Sequence, residues 1–349
     1  MTILKTNTVS GIGTEGTVFE GDITFDSLNY MTLPKGTTSQ SNRGRVVYQL
    51  GFTQPSGGEN TEMQYFDINS GGITTKFGDT IISMYAQAGG GDATRGVWCG
   101  GYDGSSSPDT DVNTIEYITF SNTAKAIDFG DRSVVGRGPQ AVSSPTRVVI
   151  GGGGNPRHNT IDYITTQTTG NATNFGDLTV IRGSFCNSMM SPTRGVFAGG
   201  YGAPGANQNV MDYVTMATTG DATDFGDLAS AGANCAGGAV SSHTRGVTAM
   251  GTVSPTVSNI INYITIATTG NASDFGDLTA ARKGASSASS KLRGVWIGGE
   301  TPTYVDTIDA VMIATTGNAT DFGDVDVLHA VGNGTSRGAA CSDSHGGLN

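Results

Sequence analysis

The chain has 349 residues, 54 of them Gly and only 14 % charged, a composition that excludes helix bundles and coiled coils; 10 Pro and no G-X-Y period exclude collagen. Its 19 Lys and Arg against 30 Asp and Glu leave a formal charge of −11, and six lysines make no basic stripe, so nucleic acid is excluded as a partner class. With 36 % apolar residues the chain is too hydrophobic for plain disorder, and a turn-rich all-β protein remains.

Residues 1–16 are polar and Gly-rich and read as an arm that orders on docking, with Leu4, Thr8 and Ile12 as candidate contact residues. No apolar run there suits a signal peptide, and no segment approaches the roughly 20 apolar residues of a membrane-spanning helix, which points to synthesis in a cytoplasm without membrane insertion. TVFEGDITF and LNYMTL at 17–33 read as two strands. The tract that follows, LPKGTTSQSNRGRVVYQLG, lines up with ARKGASSASSKLRGVWIGG at 281–299.

From here a repeat dominates. Phe-Gly-Asp returns six times, at 77–79, 129–131, 175–177, 225–227, 275–277 and 322–324, at spacings of 46 to 52 residues. A second marker, an Arg usually followed by Gly and an apolar run, occurs seven times, at 43, 95, 147, 194, 245, 293 and 337. One unit, residues 181–227, reads as four short strands: IRGSFCNSMM, SPTRGVFAGG, NVMDYVTMATTG and NATDFGDL. Four strands per unit at about 50 residues is the period of kelch-type β-propellers rather than WD repeats.

Six complete pairs of third strand and Phe-Gly-Asp strand stand against seven Arg-marked strands, and two spare strands at 17–33 face two missing ones after RGAACSDS. The count predicts a seven-bladed propeller over 17–349, closed by strands at 17–33 joining strands at 328–344; six blades are the alternative.

A residue type present once per blade points around a ring rather than at one place, so Arg95, Arg194, Arg245 and Arg293 and the Asp131, Asp177, Asp227 and Asp277 side chains are read as structural. Each Asp is expected to satisfy backbone donors or an Arg and so hold register. Cys99 and Cys341, each four residues after its Arg, are expected in equivalent slots, and the four Cys as free thiols. His329 and His345 are the His pair that ring closure brings nearest a metal arrangement, and Asp109 and Asp111 the pair nearest a calcium loop, but neither has its motif. The Asn-Xaa-Thr/Ser triplets at 171, 271, 318 and 333 read as turns. GGGG at 151–154 lacks the Lys-Ser/Thr and the helix of a phosphate loop, and no G-x-S-x-G or unshared carboxylate pair occurs. The expectation is a protein without catalytic residues, cofactor or metal. The two Trp form no evident sugar platform, although the loops at 101–113 and 200–209 are long enough to build one.

The Gly pairs, the Tyr strand and the period resemble kelch repeats over about residues 33–344, with the Phe of Phe-Gly-Asp where kelch blades carry Trp. LKTNTVSGIGTEGTVFEGDITF, MTLPKGTT, SPTRGVFAGGY and IATTGNATDFGDL are similar to phrases in structural proteins of phages that infect marine cyanobacteria. That resemblance implies a virion protein, a capsid knob or decoration or a tail component, assembled in the host cytoplasm. Its implied partners are capsid or tail proteins and host-surface polysaccharide or protein. A soluble kelch-type adaptor and a carbohydrate-active enzyme are the alternatives.

Overall fold

A computed structural model describes residues 43–53, 58–71, 73–104, 110–183, 187–202, 205–232, 239–326 and 334–348. The expected arm with Leu4, Thr8 and Ile12, and the strands at 17–33, lie outside the described residues. From Arg43 onward the chain is one compact unit, all strand and turn.

Six four-stranded antiparallel blades ring a central axis. Blade 1 is built from Ala339–Ser342, Arg45–Gln49, Glu62–Asp67 and Thr75–Asp79, in order from the axis outward. Blade 2 uses Ala88–Gly91, Arg95–Asp103, Thr110–Thr119 and Ile127–Asp131, and blade 3 uses Gln140–Ser143, Arg147–Gly151, Thr160–Thr165 and Thr173–Asp177. Blade 4 has Asn187–Met190, Arg194–Ala198, Ala206–Thr215 and Thr223–Gly232; blade 5 has Ala239–Ser241, Arg245–Ala249, Ile260–Thr265 and Ser273–Asp277. Blade 6 has Ser286–Ser289, Arg293–Ile297, Thr307–Met312 and Thr320–Asp324.

The seven-blade count is therefore corrected to six. The seventh Arg-Gly, Arg337-Gly338, does not begin a second strand. It precedes Ala339–Ser342, which pairs antiparallel with Arg45–Gln49, Cys341 opposite Val47, as the innermost strand of blade 1. The last strand thus closes a blade whose other three strands begin the described chain. Cys99 and Cys341 are consequently not equivalent: one lies on a second strand and the other on an innermost one, both buried free thiols whose pKa burial drives up, that of Cys99 to about 12.

Strand alternation gives the disc two faces. The turns joining first to second and third to fourth strands lie on one, the turn face. Loops joining second to third strands, and the connections between blades, lie on the other, the loop face.

The core consists of six apolar layers, one per blade interface. Packing is complementary: a Cβ on Gly246 would sit 2.6 Å from Met189 of the preceding blade, while between blades 2 and 3 the partners invert, Gly90 accommodating Val148. Within five blades the Phe of Phe-Gly-Asp meets the third-strand Tyr near edge-on, as in Tyr163 and Phe175 at 5.9 Å between ring centroids. The strand-start Arg covers the other side of that Tyr, Arg147 lying 4.7 Å over Tyr163. In blade 6 Ala310 replaces the Tyr, and Arg293 covers Phe322 instead, at 4.8 Å.

The Arg also crosses the interface. Arg147 donates to the Ala217 carbonyl of blade 4 at 3.0 Å, Arg194 to Ala267 of blade 5 at 2.9 Å, and Arg245 to Ala314 of blade 6 at 2.8 Å. Arg95 donates to Thr166 at 3.1 Å, and Arg293 closes the ring onto Ile68 of blade 1 at 2.7 Å.

Phe-Gly-Asp works through its main chain. The outermost strand bulges there, and Gly226, at φ 134°, lies so close to the next blade's turn that a Cβ would fall 2.6 Å from the Gly270 carbonyl. Gly270 and Ala272 then donate to the carbonyls of Phe225 and Asp227, and the Asn271 side-chain oxygen accepts from the Asp227 amide at 3.0 Å. The same lock joins Asp131 to Asn171, Asp177 to Asp221 and Asp277 to Asn318. The expected carboxylate contact is thus corrected: among the described residues the side chains of Asp131, Asp177, Asp227 and Asp277 have no hydrogen bond or ion pair.

The buried ion pairs belong to other residues. Arg132 with Asp162 (3.3 Å), Arg182 with Asp212 (2.7 Å) and Arg282 with Asp309 (3.0 Å) each join a chain segment after Phe-Gly-Asp to the third strand of the next blade. At the corresponding third-strand position the other blades carry Gln64, Glu116 and Asn262. Among the described residues no buried Arg pairs with these.

Candidate functional site

The axial channel is the first place to look, since all six innermost strands line it. They line it mostly with Gly, Ala and Ser, together with Gln140, Met190 and Cys341, leaving a cavity of about 80 Å³, room for a few waters. At the turn face the chain after Ser342 crosses the channel mouth. Residues 343–348 are buried there: the His345 ring donates to the Gly91 carbonyl of blade 2 at 2.9 Å, and its other nitrogen accepts from the Gly347 amide at 3.1 Å. Gly346 and Gly347 press on the Ser241 and Ser143 carbonyls of blades 5 and 3, and the Leu348 carbonyl meets the His243 ring. Burial lowers the His345 pKa to about 4, so the ring is neutral and one tautomer satisfies both bonds. His329 lies outside the described residues, and among those described no group of His, Cys, Asp and Glu could hold a metal ion.

The loop face is different. The Gly100–Gly101 pair, at φ 62° and 128°, redirects the second strand of blade 2, and a side chain on Gly101 would fall 3.0 Å from the Tyr85 carbonyl. With no side chain there, Tyr102 reaches Tyr85 at 5.1 Å between centroids, and Tyr85 in turn packs on Phe52 of blade 1 at 4.3 Å. An Arg stands at each end: Arg137 lies 4.5 Å over Tyr102, and Arg337 lies 5.9 Å from the centre of Phe52. Farther around, Arg157 covers Tyr201 at 4.4 Å. All three strip aromatics are partly exposed.

Beneath the strip the backbone is held in an unfavourable conformation. Ala86 and Arg337 have φ of 61° and 60°, where Gly138 and Gly284 occupy the same place before the innermost strands of blades 3 and 6. A left-handed non-Gly residue costs roughly 1–2 kcal/mol. Here it is held by a hydrogen-bonded series: Gly138 donates to Ala86, Ala86 to Arg337 and Arg337 to Gly284, at 2.7, 2.9 and 2.6 Å. That series fixes Tyr85 beside Arg337 and Arg137.

Carboxylates flank the strip. Glu300 pairs with Lys283 at 3.1 Å and Arg337 at 3.5 Å, and Asp111 with Arg137 at 3.6 Å. Asp111, half of the weighed calcium loop, is therefore occupied by an Arg; Asp109 lies outside the described residues. Aromatic faces between cationic ends offer stacking to the C–H face of a sugar ring and hydrogen bonds to its hydroxyl or acidic groups.

Arg95, Arg194, Arg245 and Arg293 lie together around the turn face, away from the strip, and Asp131, Asp177, Asp227 and Asp277 are spread along the blade rims. Sequence reasoning passed over Phe52, Tyr85 and Tyr102, whose only advance signal was the length of the 101–113 loop. Compared with protein-family models and with curated proteins, the chain matches none.

Proposed function

We propose that this propeller is a display module of a phage particle, mounted on capsid or tail, which contacts host-surface polysaccharide through its loop face. The observation that carries the contact is the Phe52, Tyr85 and Tyr102 strip between Arg337 and Arg137, supported on strained backbone. Rigid support beneath exposed aromatics is costly in a surface with no binding role. The particle assignment is supported by the resemblance of the repeat phrases to virion proteins.

Two measurements test the reading. Gold-labelled antibody on purified particles is expected to mark the capsid or tail, and its absence with the protein free in the lysate removes the virion role and favours the adaptor. Retention on immobilised host polysaccharide is expected to weaken about five- to tenfold in Tyr85→Ala or Tyr102→Ala, from the ~1 kcal/mol an aromatic contact contributes. Equal retention of both variants removes the strip from the mechanism.

A further inference from the structure

In an array of repeats, a residue that recurs is accounted for by the blade, and a residue that breaks the pattern calls for another account. On the turn face the link from first to second strand reads Ser-Pro-Thr-Arg in blades 3 and 4, ending at Arg147 and Arg194. Blade 5 has Ser242-His243-Thr244-Arg245 and blade 6 has Ser290-Lys291-Leu292-Arg293, so two neighbouring blades replace Pro145 and Pro192 by His243 and Lys291. Blade 2 departs as well, with Asp92-Ala93-Thr94-Arg95, but it is His243 and Lys291 that face one concavity of about 330 Å³, lined by Ser242, His243, Thr244, Arg245, Lys291 and Ala314.

Among the described residues no carboxylate lines that concavity. Arg245 is held by its blade-crossing bonds to Ile313 and Ala314, at 3.2 and 2.8 Å, and by stacking on Tyr263, so its charge is fixed in place without a neutralising partner. Lys291, one of six lysines in a chain of net charge −11, is exposed and makes no ion pair or hydrogen bond among the described residues. His243 is positioned by the Leu348 carbonyl. Arg147, Arg194 and Arg293 lie on the same face and, like Arg245, make no ion pair among the described residues, while the carboxylate of Asp92, on the blade 2 link, accepts from the Thr94 and Arg95 amides at 2.7 and 2.8 Å.

We infer that the cleft between blades 5 and 6 is an oxyanion site, with Arg245 and Lys291 as its charges and the Thr244 hydroxyl as a neutral donor, the Ser242 hydroxyl being engaged in its own turn through the Arg245 carbonyl. Its ligand is a sulfate or carboxylate group, free or carried on a saccharide. The site lies on the opposite face from the aromatic strip and does not depend on the proposed function.

The test is titration of the intact protein with sodium sulfate at ionic strength held constant by sodium chloride, read from the His243 imidazole resonances. The parent is expected to show a saturable shift, and Lys291→Gln at least a tenfold weaker one. Lys125→Gln, an exposed lysine on an outer turn of blade 2, is expected to match the parent. Restoring the repeat with Lys291→Pro supplies a second variant that removes the same charge. A shift that does not saturate, or one equal in the Lys291 variants and the parent, overturns the site. A sulfated disaccharide binding more tightly than inorganic sulfate identifies a saccharide-borne group, whereas equal affinity identifies the free ion; an unsulfated disaccharide binding as well as either overturns the inference.

Discussion

Replacing Asp212 by Asn removes one charge from a fully buried pair and is expected to cost about 3 kcal/mol, the low end for an orphaned buried ion. Arg182 would keep its bonds to the Val210 carbonyl at 2.9 Å and the Phe197 carbonyl at 3.1 Å, and the Asn oxygen could still accept from Thr179; what is lost is the carboxylate at 2.7 Å. At roughly 2 °C per kcal/mol for a chain of this size, the melting midpoint falls by about 6 °C. The next interface already contains the double replacement. Five residues after Asp227 stands Gly232, where the corresponding position after Asp177 is Arg182, and blade 5 has Asn262 where blade 4 has Asp212. Arg182→Gly with Asp212→Asn copies that interface, and its loss should fall short of the summed single losses by at least ~1 kcal/mol, since neither variant then strands a charge. Urea unfolding followed by Trp fluorescence measures all four proteins. Additive losses, or an Asp212→Asn protein within about 0.5 kcal/mol of the parent, would refute the argument that charge burial governs this interface.

Other expectations concern titration and the inter-blade lock. Glu116 is buried opposite no Arg, and desolvation raises its carboxyl from 4.5 to about 7. The unfolded chain releases this proton first, so stability is fullest below pH 4.5 and declines by about 3 kcal/mol as pH rises through 7. Asp343, raised by burial to about 6, acts in the same direction. Glu116→Gln should flatten the decline and be the more stable protein at pH 8 by urea titration; a steeper decline contradicts the sign. His345 acts oppositely: its pKa is lowered from 6.5 to about 4, so its contribution is full above 6.5 and lost as pH falls toward 4, a loss that His345→Gln should remove from the acid limb. Finally, Asp227→Ala should change stability by less than about 0.5 kcal/mol, whereas Asn271→Ala should cost ~1 kcal/mol by leaving the Asp227 amide unpaired; thermal melts ranking them the other way would restore a role to the Asp side chain.

The propeller could be read from the chain because its third and fourth strands repeat chemistry: a Tyr flanked by β-branched residues, then Phe-Gly-Asp. Blade number could not, because the innermost strands share no pattern. AGGG, QAVS, NSMM, SSAS and AACS are mostly buried but range from Gly to Met, with no residue type recurring at a fixed place. Arg337-Gly338 then imitates the start of a second strand, although its left-handed Arg performs the task of the Gly at 138 and 284. The work of Phe-Gly-Asp is hidden for a related reason: the motif supplies a bulge and main-chain groups, which no side chain advertises. The aromatic strip draws Phe52, Tyr85 and Tyr102 from three separated segments, so only the folded disc brings them together.

Closing blade 1 with Ala339–Ser342 has a consequence for the order of synthesis. Arg45–Gln49 is among the first described strands to be made, and the strand that pairs with its inner edge, Ala339–Ser342, is the last described strand to follow. The other five blades are made between the two, so among the described strands blade 1 is completed after them and that pairing draws the ring shut. A chain lacking residues 339–342 would keep the strands of five blades and leave Arg45–Gln49 without that partner, an edge open to a neighbouring chain.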